Sequence, residues 1–183
     1  ILIAIAALVI IAAVSFWPTL NFYWKNFRGA KVFFEKPPED IARIINTTGM
    51  PLTLPACFSI SIFAKDLGSP RVLKFDPTGN LIASITADGK VVALPDKNGD
   101  GVADEIVVVA QGLSRPHGLA FRCAEKCELY IAESHQIGIY DYDATTLKAS
   151  FRKKIADLPS GGNHFTRTIG FGPDGRLYVS IGS

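Results

Sequence analysis

The sequence has little of several things, and each shortage removes a class of function. There is no excess of charge of one sign: 19 basic side chains stand against 17 acidic ones, a formal net of +2. A nucleic-acid partner held by counterion release is therefore excluded. Neither glycine (16) nor proline (11) is over-used in 183 residues, which rules out a collagen-like or low-complexity chain. Cysteine occurs three times, and no second Cys or His pair stands at ligand spacing beside Cys123 and Cys127, so a zinc site has no support. No G-x-S-x-G elbow, P-loop or dinucleotide fingerprint is present, and the matching hydrolase, NTPase and NAD chemistries have no basis. Methionine is absent from position 1, and the expectation is that Ile1 is an internal residue of a longer chain.

What is present is apolar and unevenly spread. Hydrophobic residues make up 48% of the chain, yet Ile1–Trp24 carries no charge at all. Ile1–Leu20 has the length of a bilayer-spanning helix, and Trp17, Phe22, Tyr23 and Trp24 follow it like an interfacial aromatic belt. The alternative is a cleavable signal, with small residues at Ala13-Val14-Ser15. Either form places the following domain on or outside a membrane. Lys25, Arg28, Lys31 and Lys36 argue for a cytoplasmic side by the positive-inside rule. Cys123 and Cys127 come within disulfide reach at a hairpin tip, and a bridge there argues for an oxidising compartment; the alternative is two reduced surface thiols. The remaining Cys57 is expected to be a small buried hydrophobe.

Residues 25–53 read as a connector with a short helix starting at Pro37-Pro38-Glu39-Asp40 and stopped by Asn46-Thr47-Thr48-Gly49. From Leu54 the period changes to strands. Phe58–Phe63, Arg71–Phe75, Asn80–Ile85 and Lys90–Leu94 alternate with turns at Asp76-Pro77-Thr78-Gly79 and Ala87-Asp88-Gly89. The pattern then repeats. Pro70–Phe75 is echoed by Pro116–Phe121 and by Arg167–Phe171, and Leu81, Leu129 and Leu177 stand 48 residues apart twice over. A repeat of this length, built from short strands, is the signature of β-propeller blades. Residues 54–183 number 130, about 2.7 such blades. The fold class is therefore all-β, a partial propeller preceded by a transmembrane or signal helix.

Two local motifs carry candidate chemistry. Asp96, Asn98, Asp100, Val102 (through its carbonyl) and Asp104 match the first nine positions of a calcium loop, with Gly101 at the sharp turn. Position twelve is Val107, so this is not an EF-hand. The competing reading is a solvated acidic turn between adjacent blades. The second motif is Leu158–Arg167, where Gly161-Gly162 permits close approach to a ligand and His164 precedes an inner strand that faces the propeller axis. An imidazole there suits proton abstraction. Arg167 can pair with a carboxylate or a developing oxyanion. His117, one blade earlier, either lines the channel or hydrogen-bonds a strand edge, and Glu133-Ser134-His135 reads as a polar turn.

The stretches Leu54–Ala64, Gly112–Phe121, Leu129–Glu133 and above all Leu158–Gly182 resemble the PQQ-dependent sugar dehydrogenases, the glucose, L-sorbosone and pyranose dehydrogenases that share a six-bladed propeller. The resemblance implies oxidation of a sugar by hydride transfer to PQQ, with calcium polarising the quinone. It further implies His164 as the base and Arg167 as a contact to substrate or cofactor; if His117 lines the channel, it joins Arg167 as a candidate cofactor contact. The residues that hold PQQ and its calcium in this family come from later blades than those present, so the chain alone is expected to be inactive. Two rivals stay open: a calcium-dependent lactonase-type propeller, and a non-catalytic NHL-like propeller. The sugar and the electron acceptor are not specified by the sequence.

Overall fold

The computed structural model describes residues 45–55, 57–160 and 164–182. The apolar segment 1–24, the short helix expected from Pro37 and the Gly161-Gly162 pair lie outside them. Among the described residues no helix is long and apolar enough to cross a membrane. The chain divides into two compact units, Ile1–Ser61 and Ile62–Ser183.

The first unit contributes β1 (Ile45–Asn46), paired in parallel with β2 (Ser59–Ile60). The Asn46 side chain organises the turn after β1, accepting from the Thr48 amide at 3.0 Å and donating to Met50 O at 2.8 Å. Of the strand expected over Phe58–Phe63, two residues pair. Cys57 is exposed, with φ +69. The reason is local: Phe58 N–H closes a turn onto Pro55 O at 3.2 Å, and a left-handed residue in an exposed turn has no core to enter.

The second unit is built from antiparallel meanders. β3 (Pro70–Phe75), β4 (Leu81–Ile85), β5 (Lys90–Leu94) and β6 (Val107–Gln111) form one four-stranded sheet in chain order. β7 (Leu119–Cys123), β8 (Cys127–Ala132), β9 (Gln136–Asp143) and β10 (Lys148–Asp157) form the second, and β11 (Arg167–Phe171) pairs with β12 (Leu177–Ile181) in a third. The repeat read from the sequence is a register. Phe75 faces Leu81, Phe121 faces Leu129 and Phe171 faces Leu177 as paired residues of each first hairpin. The turns match as well: Gly79 N–H returns to Asp76 O at 3.1 Å and Gly175 N–H to Gly172 O at 3.0 Å, both glycines at positive φ.

Period-two alternation buries both faces of the middle strands. In β8, Leu129 and Ile131 pack with Ile82, Val91 and Ala93 of the first sheet, while Tyr130 and Ala132 pack with Ile169 of the third. The far face of the first sheet (Ala83, Ile85, Val92, Leu94) is covered by Phe63, Ala64 and Leu67. The first strands β3, β7 and β11 stand side by side, so the sheets fan from one axis as blades do. The second and third sheets come close at Gly118, where a Cβ would strike the Arg167 carbonyl and lie 2.8 Å from Ile169 N.

The acidic loop 96–104 joins β5 to β6 within the first sheet, rather than bridging two blades as the repeat arithmetic suggested. All connections of a meander are of similar kind, so a loop's acidity does not mark a blade boundary.

Candidate functional site

Aligned on Phe75, Phe121 and Phe171, residues Arg71, His117 and Arg167 occupy one repeated position, at the start of each axial strand. The three have different surroundings. Arg71 is exposed, His117 is half-buried and Arg167 is 2% exposed.

His117 sits in the lead-in to β7, its backbone N–H on Ala132 O at 2.9 Å. Its Nδ1 lies 3.2 Å from Arg167 O. A carbonyl only accepts, so Nδ1 carries the proton and Nε2 is left as an acceptor. Burial pushes the imidazole below its usual pKa. The Arg167 carbonyl acts in the opposite direction, and the nearby Arg71 charge adds to the depression. At neutral pH His117 is thus uncharged, and it ties the second sheet to the third.

Arg167 is turned inward. Nη1 donates to His164 O at 2.8 Å and to Thr166 O at 2.9 Å, and Nη2 donates to Pro159 O at 2.6 Å. Nε is buried with no hydrogen-bond partner among the described residues. This guanidinium gathers the carbonyls on either side of the Gly161-Gly162 segment. The sequence offered Arg167 as a contact to substrate or cofactor; here its guanidinium is buried and braces the loop that carries His164. His164 itself is exposed, with its Cβ against Gly182, so that an added Cβ at Gly182 would lie 2.9 Å away. The loop from the second sheet also reaches it: the Arg115 guanidinium lies 4.7 Å from the Phe165 ring centroid.

The lead-in loops carry the exposed His164 and two exposed guanidinium groups, Arg71 and Arg115, with His117 between the second and third sheets. Such a set can accept a proton and attract a polyanion. Sequence reading gave no role to Arg71 or Arg115 and took Glu133 for part of a polar turn, whereas it is buried. Arg71 was reachable through its repeat alignment with His117. Glu133 left only a weak signal, a carboxylate directly after the fully buried end of β8.

The acidic loop is self-capped. Asp96 Oδ1 accepts Gly99 N–H at 2.8 Å, its Oδ2 accepts Gly101 N–H at 2.9 Å, and Asp100 Oδ1 accepts Val102 N–H at 2.9 Å. Asp104 Oδ2 accepts Lys97 N–H at 2.6 Å. Among the described residues no group of three or more His, Cys, Asp or Glu is gathered as metal ligands. Asn98 and Val102 lie in this loop, but the side-chain oxygens of the set face its own amides rather than a common point.

Cys123 and Cys127 are directly paired across the β7–β8 hairpin and form a disulfide.

A family model described as TrAA12-like matches residues 52–183. Among solved structures, the chain is similar to a Trichoderma reesei structure of Carbohydrate-Active Enzymes Family AA12, at 24% identity and a TM-score of 0.58, covering 67% of this chain and 32% of that one. It is similar to the holo form of the pyranose dehydrogenase PQQ domain from Coprinopsis cinerea, at 20% identity and a TM-score of 0.60, covering 72% and 32%. It is also similar to the PQQ-bound aldose sugar dehydrogenase from Streptomyces coelicolor, at 19% identity and a TM-score of 0.52, covering 67% and 40%. At these identities the likeness establishes the fold. The chain spans about a third of the length of the first two structures. No curated protein matches.

Proposed function

Because this chain belongs to the TrAA12-like family, we propose that it forms the first blades of a PQQ-dependent sugar dehydrogenase. The observation that carries this reading is the exposed His164, held at the start of the third axial strand by the buried Arg167. The solved relatives with a PQQ domain or bound PQQ support the cofactor by fold. When bound, PQQ supplies an ortho-quinone that accepts a hydride. The donor set here suits such a polyanion in part: Arg71 and Arg115 offer exposed positive charge for its carboxylates, and His117 offers a neutral ring edge. In this reading His164 takes the proton from the sugar hydroxyl as hydride leaves the same carbon. Arg167 does not touch the cofactor; it fixes the carbonyl of His164 and so aims the imidazole. The wider protein supplies the rest of the ring.

The test is reconstitution of the full-length protein with PQQ and calcium, followed by dye reduction with aldoses and with sorbosone. His164→Ala should lower turnover by about 10²–10⁴-fold. An unaffected rate removes the base assignment, and absence of PQQ binding removes the class in favour of a lactonase-type or non-catalytic propeller. The lactonase-type rival finds no carboxylate at the repeated axial position, which carries Arg71, His117 and Arg167.

Calcium binding by the Asp96–Asp104 loop requires its oxygens to turn from amides to the ion. A thermal midpoint that rises in millimolar calcium, and does not rise in Asp100→Asn, supports that site; indifference to calcium ends it. The Cys123–Cys127 bridge supports an extracytoplasmic domain, reached through the apolar segment 1–24 as anchor or signal. A periplasm-directed reporter fusion tests that location.

A further inference from the structure

Between the second and third sheets the lead-in loops interlock, starting from a buried carboxylate. Glu133 is 3% exposed. Its Oε2 accepts the Ser114 amide N–H, and its Oε1 accepts from the Gln136 side-chain amide at 2.6 Å. Ser134 N–H donates to Ser114 O at 3.0 Å. Ser114 is thereby held through both its amide and its carbonyl by the β8–β9 turn. The next residue, Arg115, has φ +50, a conformation that a non-glycine residue keeps only when its surroundings over-determine it. The pinned Ser114 fixes it on one side. On the other, the buried Pro116 gives its carbonyl to the Thr86 hydroxyl at 2.6 Å. So held, the Arg115 guanidinium covers the face of Phe165, a cation–π contact, and Phe165 is the residue next to His164.

We propose that Glu133 is a positioning residue for His164: it pins the Ser114–His117 loop so that Arg115 clamps Phe165 and His117 meets the Arg167 carbonyl. The proposal rests on the reading of His164 as the proton acceptor. Glu133 touches neither sugar nor quinone and acts through the chain 133–114–115–165.

In the full-length protein, Glu133→Gln keeps the side-chain shape but replaces one acceptor with a donor, so Ser114 or Gln136 loses its partner. With aldose at saturating PQQ, kcat should fall about ten- to hundredfold, the scale of a roughly 1 Å misplacement, while KM for the aldose stays unchanged. Hydrogen exchange without the quinone is the second readout. Amides 164–167 should exchange faster along with 112–117, while β4 and β5 stay as they were. Wild-type kcat, or faster exchange confined to 112–117, overturns the proposal. Should Glu133→Gln fail to fold, Phe165→Ala breaks the same link farther along. It must lower kcat at saturating PQQ, and a wild-type rate overturns the proposal. An active His164→Ala protein sinks the base assignment alone, because the exchange experiment judges the link without any turnover.

Discussion

The Tyr142 hydroxyl donates to Asp76 Oδ2 at 2.7 Å, joining β9 of the second sheet to the first turn of the first sheet inside the core they share. Burial pushes the Asp76 carboxyl up, but the hydrogen bonds from Tyr142, Asn80 and Thr78 outweigh it and hold its pKa below 3.8. Burial and the Asp76 carboxylate together push the Tyr142 phenol well above its usual value. A depressed carboxyl stabilises the fold above its unfolded pKa and loses that contribution as pH falls. A raised phenol contributes below its unfolded pKa of 10.0 and loses it as pH rises. Tyr142→Phe should therefore cost about 2 kcal/mol at pH 7. It should also flatten the fall in stability on both the acid and the alkaline sides. Urea unfolding across the pH range measures this.

Glu128 is the hub of an ion network on the second sheet. Tyr130 donates to it at 2.7 Å, Arg122 at 2.9 Å and Arg152 at 2.8 Å. The Tyr130 hydrogen bond leads the arginine pairs in bringing its pKa down to about 2 against the resistance of burial. Its contribution is complete above 4.5 and disappears as pH falls toward 2. Glu128→Gln should cost about 1–2 kcal/mol, more than an ordinary exposed pair because three donors converge on one carboxylate. The loss should vanish when wild type and variant are compared below pH 2 by the same unfolding assay.

Gly118 is required by space rather than by backbone angle. A methyl group there meets the Arg167 carbonyl and the Ile169 amide, backbone atoms of a strand that cannot step aside cheaply. Gly118→Ala should destabilise by at least about 1–3 kcal/mol. It should also weaken the link from His117 to Arg167, visible as faster amide exchange in β11.

The disulfide closes a short loop, with its cysteines four positions apart. Loop-closure entropy then gives it no more than about 2 kcal/mol. Reduction should lower the thermal midpoint modestly without unfolding the domain. Intact-mass measurement of protein purified from an oxidising compartment should find Cys123 and Cys127 bonded and Cys57 free.

Legibility in the sequence followed the strength of the physical signal. Asn80–Ile85 and Lys90–Leu94 are largely apolar and bounded by turn residues, and the strands run over Leu81–Ile85 and Lys90–Leu94. The Phe and Leu echoes announced the register of every first hairpin, because a period-two structure allows no slip without exposing a whole face. The side-chain roles were harder. Nothing in a Thr-Arg-Thr string says that Arg167 folds back onto three carbonyls, since those acceptors depend on loop closure. Glu133 looked like solvent-facing punctuation, because burial of a carboxylate is decided by the amides that reach it from elsewhere. The acidic loop offered calcium-like spacing, yet spacing fixes only which oxygens are available, not whether amides claim them first.

The repeated axial position also separates shape from assignment. Arg71, His117 and Arg167 stand on the same backbone address in successive copies, yet each meets different partners there. One copy keeps its charge in water, one surrenders its charge to join neighbours, and one retires inward to become scaffolding. Copies of one module can thus divide duties at a shared address without sharing a chemistry.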